Sequence, residues 1–175
     1  MPFFSLIKKA LLLLNSDDTP FQIAIAFTLA FFVGFTPFLS IQNFFIILLA
    51  FILNISLKGF FLGLTISGLI YYLLTYPFHY LGKLILIDSS FLNSFFKIFF
   101  DAPLMLYTNL NNTIALGGFL SAIILFFPIF ILIKMFVAYY RKNLQDKLNN
   151  SKIFKIFAKS PVSMFIGKVT GFFTK

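Results

Sequence analysis

The chain has 175 residues, of which 60% are apolar and only 11% charged. Mean hydropathy is +0.98, and 29 residues are Phe. A soluble domain of 20.0 kDa lacks the interior to hide that much apolar surface, so a membrane protein is expected. Soluble, disordered and disulfide-scaffold readings are excluded. With no Cys, no Glu, one His and five Asp, a thiolate nucleophile or Cys-type zinc site is ruled out and a dedicated metal site is hard to build. No cofactor is expected.

The net charge of +9 is unevenly placed. Residues 1–20 balance to zero and residues 21–133 carry +1. Residues 134–175 carry the remaining +8. Basic residues beside a span mark the cytoplasmic side. Such a tail meets anionic headgroups before nucleic acid, so lipid is the expected partner and nucleic acid is not.

Residues 3–14 are apolar but interrupted by Lys8-Lys9. They are too short to span and lack the order of a signal peptide, which predicts an interfacial helix. After a polar break, Thr19, Pro20 and Gln22 form a capping-box pattern with Pro at the first helical position. No charge then occurs from Thr19 to Leu57. This stretch suits two short helices bending at Gly34-Phe35-Thr36-Pro37. The 20–57 hairpin either spans with tight turns or is re-entrant. Polar backbone at depth would have to be buried in protein or line a wet cavity.

A helix is expected over 57–81, breaking at Pro77. Residues 83–111 mix Lys83, Asp88, Lys97 and Asp101 with aromatic residues and predict an extracytoplasmic segment with an interfacial helix near 90–100. Pro103 would end that helix. The last span is expected over 112–138, with Asn111 or Asn112 as its cap. Pro128 should kink it. Tyr139, Tyr140, Arg141 and Lys142 resemble an aromatic and basic border. Lys152, Lys155 and Lys159 share one face of an amphipathic tail over 146–175.

Arg141, Lys142, Lys152, Lys155 and Lys159 are the candidate contacts to anionic lipid. Ala26, Ala30 and Gly34 recur every four residues, as do Gly59, Gly63 and Ser67. Such rows let helix backbones approach closely in lipid. They predict packing within the chain or, alternatively, a homo-oligomer face. Thr36, Pro37, Ser40, Gln42 and Asn43 gather donors and acceptors at the bend. They read either as a turn with satisfied helix ends or as a polar tip facing a cavity or partner. Asn54, Asn111 and Asn112 complete that candidate set with His79. A catalytic His79 would need an acid or nucleophile, and no carboxylate lies close in sequence. No catalytic residues are expected.

The order Pro20-Phe21-Gln22, Gly34-Phe35-Thr36-Pro37, Ser40, Gln42-Asn43 and Asn54 resembles the bacterial domain-of-unknown-function family 2062. Pro77-Phe78-His79, Asn109 to Thr113, Gly117-Gly118 and Tyr139-Tyr140-Arg141 resemble a narrower branch of short, stand-alone members. The resemblance covers about residues 3–145. It implies a multi-pass inner-membrane protein with no established activity, encoded beside a large envelope protein. The chain departs from the pattern at Ala26 and Ala30, where Gly is frequent. It departs again at Ile52, in place of a basic residue, and at Tyr76, in place of an Asp that might have paired with His79.

The expected fold is all-α: a hairpin, two longer transmembrane helices, and interfacial helices, forming one membrane domain over 1–145. Both termini should be cytoplasmic. The expected function is a non-enzymatic inner-membrane subunit or anchor for a larger envelope protein, in a role that includes envelope lipid handling. The alternative is a small transporter or channel lined by the polar residues of the hairpin.

Overall fold

A computed structural model describes residues 2–89, 101 and 107–143. The expected interfacial helix near 90–100 and the tail with Lys152, Lys155 and Lys159 lie outside the described residues. Every regular element among the described residues is helical. They are α1 (Pro2–Leu14), α2 (Pro20–Gly34), α3 (Ile41–Ile52), α4 (Leu57–Lys83) followed by a π-helical turn (Leu84–Asp88), and α5 (Thr113–Asn143). The described residues divide into two compact units, those within 17–136 and residues 2–16 with 137–143.

Two helical stretches, Leu57–Asp88 and Thr113–Asn143, are long and apolar enough to cross a membrane. The arms of the hairpin are shorter. At 1.5 Å per residue, the 15 residues of α2 and the 12 of α3 reach only about 22 and 18 Å, against about 30 Å of hydrocarbon.

Within the 17–136 unit, α2 begins as its sequence dictates. The Thr19 side chain accepts from the Gln22 N–H at 3.2 Å, and Gln22 Oε1 accepts from the Thr19 N–H at 2.8 Å. This capping box, with Pro20 at the first position, satisfies two otherwise orphan donors. Helix α3 ends where Leu53 is followed by Asn54 in the left-handed region (φ 48°). Asn tolerates that region better than most residues.

Helices α2 and α4 run parallel, and their small-residue rows face each other in register. A β-carbon on Gly59 would lie 3.4 Å from Ala26 Cβ. One on Gly63 would lie 2.8 Å from Ala30 Cβ, and one on Gly34 would overlap the Ser67 side chain. Each pair is 33 positions apart, so the contact repeats every turn. Ser67 Oγ also donates to the Ala30 carbonyl at 3.2 Å, tying one helix to the other's backbone.

Helix α5 returns antiparallel to α4. A β-carbon on Gly82 would fall on the Thr113 carbonyl, and one on Gly117 on the Phe78 carbonyl. At both positions a glycine hydrogen faces the oxygen instead, the Cα–H···O=C contact that recurs between close-packed helices. Gly118 meets the Phe35 carbonyl in the same way. Phe35 and Phe78, both buried, pack with ring centroids 5.0 Å apart.

Both longer helices differ from their expected extents. Helix α4 does not break at Pro77 but continues to Lys83. The proline removes one backbone donor, and membrane-type helices absorb that loss when neighbouring packing holds them. Here Phe78 and Gly82, just beyond Pro77, are buried against α5. Helix α5 runs past 138 to Asn143, because the Tyr-Tyr-Arg-Lys sequence at the border contains no helix breaker.

In the other unit, Asn15 Nδ2 donates to the Leu11 carbonyl at 2.9 Å and to the Tyr140 hydroxyl at 3.1 Å. Arg141 donates from Nε to the Leu14 carbonyl at 3.1 Å and from Nη2 to the Ser16 carbonyl at 2.9 Å. The guanidinium thus caps the C-terminal end of α1, where carbonyls lack intrahelical partners.

Candidate functional site

The hairpin tip draws most of its order from one side chain. Asn43 is fully buried (0% exposed) on the first turn of α3. Its Nδ2 donates to the Pro37 carbonyl at 2.9 Å, with longer bonds of 3.4 Å to the carbonyls of Val33 and Phe38. Its Oδ1 accepts from the Thr36 hydroxyl at 2.8 Å. Thr36 Oγ1 also reaches the carbonyls of Phe32 and Val33 at 3.1 and 3.3 Å. Helix α2 thereby has its C-terminal carbonyls answered by side chains of the turn and of α3. Polar backbone at that level is buried in protein, as a water-poor setting requires.

A second strand of contacts ties the tip to the segment before α5. Gln42 Nε2 donates to the Thr108 carbonyl at 2.8 Å, and Asn109 Nδ2 donates to the Leu39 carbonyl at 3.3 Å. Asn109 sits in the left-handed region (φ 57°). Asn112 Oδ1 caps α5 by accepting from the N–H groups of Ile114 at 2.8 Å and Ala115 at 3.3 Å. Asn111 beside it is exposed. His79 is exposed, with Nδ1 2.7 Å from the Thr113 hydroxyl.

A third cluster closes the base of the hairpin. Gln22 Nε2 donates to the Asn54 carbonyl at 3.2 Å. Ser56 Oγ donates to Asp18 Oδ2 at 2.6 Å while accepting from the Gly59 N–H at 3.2 Å. The Asp18 to Ser56 link has no local sequence signal, because the partners stand 38 positions apart.

The candidate residues therefore separate into groups. Thr36, Pro37 and Asn43 come together at the tip; Gln42 joins it to Thr108; Asn54 lies at the opposite end of the hairpin. His79 pairs with Thr113, and Asn112 serves as a cap. Ala26, Ala30, Gly34, Gly59, Gly63 and Ser67 form one helix contact. Arg141 is engaged with two carbonyls, while Lys142 is exposed.

An open cleft of about 610 Å³ lies beside the tip, lined by Phe38, Leu39, Ser40, Ile41, Phe44, Ile47 and Tyr107. Its walls are almost wholly apolar. Sequence reasoning singled out only Ser40 of this set, since the others look like ordinary lipid-facing residues. No group of three or more His, Asp, Glu or Cys side chains able to hold a metal occurs among the described residues. The arrangement supplies hydrogen-bonded helix ends and apolar surface, with His79 beside the Thr113 hydroxyl as its one contact between an imidazole and a hydroxyl among the described residues.

The family model described as an uncharacterized protein conserved in bacteria (DUF2062) matches residues 5–145. The chain belongs to this family. The matched region takes in the hairpin, both long helices and the segment between them. No curated protein and no solved structure matches the chain.

Proposed function

We propose that the chain is a non-enzymatic subunit of the bacterial inner membrane that anchors a larger cell-envelope protein. The observation that carries this reading is the pairing of inward polar groups with outward apolar ones at the tip. Thr36 and Asn43 are buried against each other, whereas Leu39 is 88% exposed and Phe38, Phe44 and Phe45 are exposed beside it. A conduit needs polar groups turned toward water. An anchor needs them spent inside the fold, with apolar surface left for lipid and partner.

Membrane insertion is supported by the same balance along the long helices. Only 28% of the most apolar window of each is buried within the chain. Leu73, Ile124, Phe127 and Leu132 stand exposed on them. In water such a surface would aggregate. Lys142 and the basic stretch that follows support a cytoplasmic placement for that end, and Lys152, Lys155 and Lys159 would add anionic-lipid contact. The hairpin is re-entrant in this reading, because its arms are too short for the hydrocarbon. Partner contacts centre on the tip and on Asn109 to Asn112.

The test is co-purification of the full chain from its native membrane in polymer nanodiscs, with and without Leu39→Lys. The unmodified chain should carry one larger envelope protein in fixed ratio. Leu39→Lys should lose that protein while keeping its own level in the membrane. Retention of the partner by the variant would move the contact away from the tip. A clean homo-oligomer holding a defined solute would favour the transporter reading instead.

A further inference from the structure

The cleft beside the hairpin tip has a polar end and an apolar length. Ser40, Phe44 and Ile47 are spaced four and three residues apart, which places them on one face of α3. The lining thus runs lengthwise down the helix from its N-terminus. At that N-terminus, Ser40 is the cap residue, yet its side chain makes no capping bond. Its hydroxyl is buried without a hydrogen-bond partner, and the residue is only 7% exposed. The N–H groups of Ile41 and Gln42 stand in the first turn, where a helix has no internal acceptors for them. Below lie Phe44 and Ile47, with Phe51 exposed one turn further along the same face.

A buried hydroxyl without a partner is costly. A helix N-terminus also favours a negatively polarised oxygen. An apolar cleft of this size with a few polar groups at one end has the general form of a small-molecule site. We infer that the cleft holds one acyl chain of a membrane glycerophospholipid. Its ester carbonyl accepts from Ser40 and the first turn of α3, and its hydrocarbon lies along Phe44 and Ile47. In this inference the Ser40 hydroxyl, buried in the structure, turns to another staggered χ1 position to present its proton. The chain direction follows from the lining: carbonyl at the tip, methyl end toward Phe51. Asn109, which donates to the carbonyl of the lining residue Leu39, adds a polar group at the carbonyl end. This inference rests on the membrane reading above and adds a specific lipid position to it.

The test uses the full chain in vesicles of phosphatidylethanolamine and phosphatidylglycerol doped with a phospholipid bearing a diazirine on one acyl chain. After irradiation, adducts are mapped by mass spectrometry. Labelling should be several-fold denser on residues 38–51 than on the exposed faces of α4 and α5. A diazirine near the carbonyl should mark Ser40 and Tyr107, and one near the methyl end should mark Ile47 and Phe51. Ser40→Ala should reduce the enrichment about fivefold, the worth of one net hydrogen bond. Ile47→Trp should fill the cleft and abolish the enrichment, while Leu132→Trp on α5 should leave it unchanged. Equal labelling of all exposed faces, or enrichment that survives Ile47→Trp, would reduce the cleft to ordinary annular contact and overturn the inference. Recovery of the chain in the aqueous fraction without detergent would overturn the membrane reading itself, so the two failures are distinguishable.

Discussion

Gly63 and Gly68 are about 1.4 turns apart on α4, yet they serve different ends. A β-carbon on Gly63 would meet Ala30 Cβ at 2.8 Å and the Phe27 backbone at 3.3 Å, while one on Gly68 would meet nothing within 4 Å. Gly63→Leu should therefore force α2 and α4 apart. The expected cost is about 1–3 kcal/mol or more, the usual range for overpacking. Gly68→Ala should be neutral or slightly stabilising, because Ala is the better helix former. Thermal unfolding of the detergent-solubilised variants, followed by size-exclusion chromatography, checks both. Asn43 sets a second residue-scale expectation. Asn43→Ala leaves the Pro37 carbonyl without its side-chain donor, at about 1–3 kcal/mol for a buried group left unsatisfied, while the Thr36 hydroxyl keeps the Phe32 and Val33 carbonyls as acceptors. The same assay should show a clear loss of thermal stability, and a stability equal to the parent chain would contradict the tip geometry. The small-residue rows and the polar bend are both readable in the sequence. What periodicity could not supply is that the rows face one another 33 positions apart. Nor could it show that Asn43 turns inward while its neighbour Gln42 reaches Thr108.

At the scale of elements, local signals specify starts better than stops. The capping box fixes the start of α2 with residues three apart, and Asn112 caps α5 in the same local way. Asn54 ends α3 locally, but other ends are set by tertiary packing. Helix α4 passes Pro77 because Phe78 and Gly82 pack against α5, information that lies about 35 positions away in sequence. The turn from α1 follows the same rule. Its closing carbonyls are held by Arg141, more than 120 positions distant, so a residue that reads as a lipid-facing cation is a helix cap. Arg141→Ala should release the carbonyls of Leu14 and Ser16, and amide hydrogen exchange over residues 11–16 should accelerate. Exchange unchanged by Arg141→Ala would mean that the guanidinium does not hold the end of α1. Lys142→Ala, which removes an exposed charge, serves as the comparison and should leave that exchange alone.

At the scale of the whole molecule, composition alone points to the membrane, and the structure accounts for where the scarce polar groups go. Among the described residues, several are spent on helix ends and turns: Thr19 and Gln22 at the base, Thr36 and Asn43 at the tip, Asn112 before α5. Such a distribution suits a protein that presents surface to lipid and partner. A path for water or ions past the hairpin would need these groups turned toward water instead. The chain lacks cysteine, so this can be tested on a clean background. The measurement is the reactivity of Thr36→Cys toward a water-soluble maleimide in intact vesicles, with Asn111→Cys on the exposed turn as the positive control. The account predicts rapid labelling at position 111 and protection at position 36 until the fold is disrupted. Labelling at position 36 as fast as at position 111 would place water at the hairpin's polar core and contradict the account in favour of a hydrated path.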